Sequence, residues 1–199
     1  MMLIEETTVP QGALPVAEFK DHLRLGSGFA EDTLQDGVLE SYLRAAMAAI
    51  EARTGKILIE REFTWSVTFW RDPGRQALPV APVSAISDVA LLDRTGAETQ
   101  VPGTAWRLEP DLHRPALVAA GSCLPSIPSG GFAQVGFLAG FGPEWSDLPA
   151  DLAQAVKMLA AHYYEYRHET GLGAGALPYS VNALIERYRT VRILGGGTA

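Results

Sequence analysis

A chain of 199 residues, 47% hydrophobic and 20% charged, is long enough to bury a real core and reads as one domain, or one domain carrying a large insertion. Its formal net charge of -7 excludes a protein that grips nucleic acid over its whole surface, because that affinity comes mostly from Lys and Arg on phosphates. A single cysteine, Cys123, excludes an internal disulfide, and no apolar run approaches the ~18 residues of a membrane span.

The N-terminal MMLIEETTVPQG has acids where a signal peptide needs basic residues, so a chain made and kept in the cytoplasm is expected. After this polar, extended leader, Pro15 opens PVAEFKDHLRL. There Val16, Phe19, Leu23 and Leu25 space a short amphipathic helix ending at Gly26 or Gly28. Asp32 and Gln35 match a capping box for a longer helix with the stripe Leu34, Val38, Leu39, Tyr42, Leu43, Ala46, Met47 and Ile50, closed by Gly55. Gly37 costs about 1 kcal/mol relative to alanine inside a helix, which predicts a close helix contact there or a later start.

From Ile57 the period falls from 3.6 to 2. Phe63, Trp65, Val67 and Phe69 alternate with Glu62, Thr64, Ser66 and Thr68, the pattern of a strand with one buried face, and RDPGRQ follows as a turn. Short strand-like pieces come next: SAISDVALLD, ETQVP, TAWRLEP, PALVAA and FAQVGFLAGFG. Glycine and proline crowd residues 125–131, which reads as a loop or hairpin tip.

The longest strongly periodic segment is residues 148–169, LPADLAQAVKMLAAHYYEYRHE. Leu152, Ala155, Val156, Leu159, Ala160, Tyr163 and Tyr166 fall on one helical face, with Asp147 as cap, Pro149 in the first turn, and Gly171 and Gly173 past the end. Its small residues predict close packing against the alanine-rich AAMAAIEA of the earlier helix. GLGAGALPYS then connects to a last helix, VNALIERYRTV, with Val181, Leu184, Ile185 and Tyr188 on one side, and ILGGGTA cannot hold a fold by itself. The predicted class is α+β: mainly an α-helical bundle from residues 1–56 and 146–190, an inserted antiparallel β module at 57–145, and a flexible C-terminal tail at 191–199.

Enzyme signatures are missing: no GxGxxG after a strand, P-loop, GxSxG, CxxC or HExxH. His162 and His168 miss the i, i+4 spacing of a zinc helix, and Cys123 sits in GSCLPS without a basic partner to hold a thiolate. No catalytic, cofactor-binding or metal site is therefore predicted, and the chain is not read as an enzyme. The YYEYR run could stack on bases, but Tyr163 and Tyr166 lie on the apolar stripe, and Arg167 is spaced to lie against Tyr163.

In their order, these segments resemble the head-tail connector (adaptor, head-completion) family of tailed bacteriophages, whose counterparts in gene transfer agents are the same component. FKDHLRL, EDTL and YLRAAMAAIEARTGKILI are similar to its N-terminal helices, and LPVAPVSAISDVALLDRTG to its first β segments. VGFLAGFG, the 148–169 helix and LIERYRTVRIL complete the order. The β insertion is longer than in minimal connectors.

The resemblance implies a structural, cofactor-free adaptor of a gene transfer agent or related long-tailed phage. Its place would be the virion's head-tail junction, in a homo-oligomeric ring of twelve copies. Implied partners are the portal protein and the next tail-side component, a stopper or head-tail joining protein. DNA passes through the channel without sequence-specific binding, and no membrane is involved. Arg187, Tyr188, Arg189, Arg192, Ile193 and Leu194 match the family's closing Tyr-Arg and Arg-Leu positions and are the implied portal contact. Three other readings stay open. Tyr188 and Ile193 can pack back on the protein's own helices. A small DNA-binding packaging factor would use the basic 187–192 segment, and a hydrolase would need a noncontiguous site.

Overall fold

The computed structural model describes residues 1–23, 35–167 and 177–189. Of these, 35% are helical and 28% lie in strand, in two antiparallel sheets with eight strands between them and four α-helices. The expectation of a mainly α-helical bundle is thus corrected: the fold is mixed. Two of the helices are only seven residues long, and the strands extend to the N-terminal residues that were read as a leader. The chain forms two compact units, one of Met1–Pro15 with Lys56–Leu148 and one of the described residues of Val16–Gly55 and Pro149–Ala199.

The first unit holds every strand found among the described residues. Its larger sheet contains β1 (Met2–Glu5), β2 (Arg61–Val67), β4 (Val83–Leu92), β5 (Glu98–Gln100) and β8 (Phe132–Ala139), in the order β1-β2-β8-β4-β5. The smaller contains β3 (Arg75–Ala77), β6 (Trp106–Glu109) and β7 (Ala116–Ala119), in the order β3-β7-β6. In β2 the period-two expectation becomes a buried face of Arg61, Phe63, Trp65 and Val67. Phe69, expected to continue that face, lies past the strand and is exposed.

Phe63 faces Phe137 of β8 with ring centroids 5.8 Å apart, and Trp65, Val89, Leu117 and Val135 join them in one core shared by both sheets. Arg61 can be buried on this face because its guanidinium pairs with Glu5 of β1 at 2.7 Å and lies over the Phe63 ring. β4 bends through register shifts at Val83/Ala85 and Ile86/Asp88. At the second shift the opposing residue is Gly136, where a Cβ would fall 2.3 Å from Asp88 Oδ1 and 2.5 Å from Ser87 Oγ. The turn after β4 is closed by Asp93, whose carboxylate accepts from Thr95 N, Thr95 Oγ1 and Ala97 N. These hydrogen bonds, that from the Thr95 hydroxyl first, hold its pKa below the ordinary carboxylate value.

The second unit is helical among its described residues: α1 (Val16–His22), α2 (Asp36–Thr54), α3 (Ala150–Glu165) and α4 (Tyr179–Ile185). α2 begins later than the capping-box reading, so Gly37 falls in its first turn, where its low propensity matters less; Asp32 and Leu34 lie outside the described residues. Leu39, Leu43, Ala46, Met47 and Ile50 are buried as the stripe requires, whereas Val38 is exposed. Gly55 closes the helix in the left-handed conformation, φ 70°, its N–H donating to Glu51 O at 2.8 Å.

α2 packs on α3, and the Tyr42 ring meets Tyr164 edge-on at 6.0 Å. Leu152, Ala155, Val156, Leu159 and Ala160 form the buried face of α3, each large apolar side chain contributing roughly 1.5–3 kcal/mol. Two expectations at its ends are corrected. Asp147 caps the preceding 3-10 turn (Trp145–Asp147) instead of α3, its Oδ2 accepting from Glu144 N at 2.9 Å, and Pro149 holds the N-cap position of α3. Tyr166 is exposed beyond the last turn, and Arg167 lies over Tyr164, 4.9 Å from the ring centroid, rather than over Tyr163. Gly26, Gly28, Gly171, Gly173, His168 and residues 191–199 lie outside the described residues. Ion pairs tie α1 to its neighbours: Lys20 to Asp36 at 2.6 Å and Lys157 to Glu18 at 3.1 Å.

Candidate functional site

Sequence reasoning singled out the C-terminal segment, and the described structure brings part of it together on the first turn of α3. α4 starts after Pro178 and is held by Asn182, whose side-chain amide donates to Leu177 O at 2.9 Å. Its apolar spacing continues through the 3-10 turn Glu186–Tyr188, so Val181, Ile185 and Tyr188 are all buried. Tyr188 then meets a carboxylate at the bottom of that face. Its hydroxyl donates to Asp151 Oδ1 at 2.8 Å, and Arg187 Nε pairs with Asp151 Oδ2 at 2.9 Å.

Asp151 sits in the first turn of α3, where unpaired N–H groups and the positive helix end favour a carboxylate. The Arg187 guanidinium lies over the Tyr188 ring, 4.7 Å from its centroid, and also donates to its hydroxyl. Burial raises the Tyr188 pKa above its ordinary value, and the hydrogen bond with Tyr188 raises that of Arg187. This arrangement is a clamp: it offers no nucleophile or general base in a cleft, but it fixes the chain at Arg189 to the helical unit. Arg189 is exposed and pairs with Glu186 at 2.9 Å, while Arg192, Ile193 and Leu194 lie outside the described residues.

Sequence reasoning gave Asp151 no role in the site. The available signal was an acid in the first turn of the core helix, a position that attracts cations and hydroxyl donors. Elsewhere, His22 stacks on Phe19, the His162 ring lies tilted against Tyr166 with centroids 4.7 Å apart, and Cys123 is exposed. Among the described residues no three His, Cys, Asp or Glu side chains are grouped to hold a metal ion.

No protein-family model matches the sequence, and no curated protein matches it. Solved structures contain similar chains. One is in the neck of an empty gene transfer agent (GTA) particle with C6 symmetry, 57% identical over 98% of this chain and 99% of that one, with TM-score 0.89. Another is in the virion of a native GTA particle, 57% identical over 98% and 99%, TM-score 0.87. A third is in the neck of a native GTA particle with C12 symmetry, 54% identical over 98% and 99%, TM-score 0.84. The class so defined is a structural component of a phage-like particle. The chain belongs to the family of gene transfer agent neck proteins.

Proposed function

We propose that this chain is the adaptor of a gene transfer agent: a homo-oligomeric ring of twelve copies beneath the portal that joins head to tail and lines the DNA channel. The observation that carries this reading is 57% identity, over 98% of this chain, to a chain in a GTA neck. The twelvefold symmetry of another neck structure supports the copy number. In this reading the partners are the portal protein above and a stopper or head-tail joining protein below, and the role is structural rather than enzymatic. The net charge of -7 suits a channel wall, since repulsion of phosphates keeps DNA from being trapped as it slides.

The portal contact in this reading is the segment from Arg187 to Leu194: Arg187 and the buried Tyr188 anchor it to the helical unit, and Arg189, Arg192, Ile193 and Leu194 are left to meet the partner. Its supporting feature is the clamp on Asp151, which tethers the chain so that the residues beyond search for a partner at high effective concentration. Their arginines can pair with acidic groups and Ile193 and Leu194 can bury apolar area. Electron microscopy of particles made without this chain tests the function: DNA-filled heads with an occupied portal and no tail are expected, and normally tailed particles would overturn it.

A further inference from the structure

Among the described residues the larger sheet has two open edges: there β1 bonds only to β2, and β5 only to β4. β1 and the Met1 before it are also the most exposed apolar stretch among the described residues: Met1 is 87% exposed, Met2 56%, Leu3 37% and Ile4 41%. All three residues of β5 are exposed. Proteins blunt such edges with lysine, proline, bulges or a covering element, and neither Met2–Glu5 nor Glu98–Gln100 contains a lysine or proline. A subunit in a closed ring must offer two different surfaces, one to each neighbour. The open edges of one sheet are such a pair.

We propose that β1 of one copy adds to the β5 edge of the next, joining the five-stranded sheets of successive subunits around the ring. This rests on the ring reading above. All four pairings within the sheet are antiparallel, so β1 and β5 of one copy run in the same direction. Cyclic rotation keeps that direction, and the new pair is therefore parallel. β1 against β1 about a twofold axis would instead be isologous and stop at a dimer.

Cysteine cross-linking in purified particles tests this. In a Cys123→Ser background, Ile4→Cys and Thr99→Cys are made singly and together, with Leu3→Cys and Gln100→Cys as alternatives that remove dependence on register. Within one copy the two edges are separated by four strand spacings, roughly 19 Å, far beyond the ~7 Å limit between Cα atoms for a disulfide, so any cross-link is between copies. The paired variants should give a ladder of multimers on mild oxidation and the single variants none. A dimer from Ile4→Cys alone, or no ladder from any pair in particles whose neck rings are visible, would overturn the edge pairing and leave the ring intact. Wild-type particles without rings would overturn the ring reading and the pairing with it. A second readout covers cysteine variants that do not assemble: Met2→Lys with Ile4→Lys should leave the melting temperature of the purified chain unchanged and reduce neck occupancy at least tenfold. Unchanged occupancy would overturn the proposal.

Discussion

Tyr188 shows how one side chain joins the last helix to the first turn of α3. Its ring completes the apolar face begun by Val181 and Ile185, and its hydroxyl reaches a carboxylate that α3 holds at its positive end. Tyr188→Phe keeps the ring but removes that bond; Asp151 keeps Arg187 and its own helix N–H, so the loss should be about 1 kcal/mol, read by urea unfolding at neutral pH. The alkaline limb separates this bond from simple packing. Because the folded pKa of Tyr188 is raised, the fold holds its proton more tightly than the unfolded chain. The associated stability is fully present below the unfolded value of 10.0 and is lost as pH rises through the higher folded value. The melting temperature of the wild type should therefore fall more steeply above pH 10 than that of Tyr188→Phe; parallel curves would show that the phenol does not titrate in this way.

At the scale of elements, two close approaches decide whether the units form. α2 and α3 meet through small residues, and Ala46 and Ala155 are fully buried. Ala46→Trp or Ala155→Trp should overpack this contact at a cost of ~1–3 kcal/mol, and a wild-type melting temperature in both would refute the pairing. Gly140, just past β8, has φ 144°, and a Cβ there would lie 2.3 Å from Glu60 Cα. Gly140→Ala should cost ~1–3 kcal/mol from backbone strain alone, seen as lower soluble yield and an earlier unfolding midpoint. Both helices were legible because their hydrogen bonds are local and their apolar residues recur at 3.6. β2 and β8 were legible through alternation and runs of apolar residues. β1 was not: four residues with one acid carry too little pattern, and its partner β2 begins some 55 residues later, beyond anything local periodicity reports. The same non-locality hid the division of eight strands between two sheets and led to the helical reading of the whole. Of the candidate site, the apolar side of the last helix was legible, while its carboxylate partner lies across a tertiary contact that spacing does not encode.

For the whole molecule, the part of the C-terminal segment that the fold needs can be separated by truncation from the part that the proposed docking needs. A chain ending after Ala176 loses α4 and with it Val181, Ile185 and Tyr188, all buried against the helical unit. Each would leave apolar surface of α3 in water, so this truncation should lower the melting temperature markedly or abolish folding. A chain ending after Arg189 keeps the clamp on Asp151 and removes only the residues beyond. If those residues dock on the portal, the second truncation melts with the wild type yet no longer joins DNA-filled heads in a co-sedimentation assay. On the same docking reading, Arg192→Glu in the full chain should weaken attachment without changing stability, because it would reverse a charge proposed to pair with acidic groups on the partner. Attachment of the Arg189 truncation at wild-type levels would show that the portal contact lies elsewhere on the chain, and a collapse of its stability would show that the final ten residues belong to the fold instead.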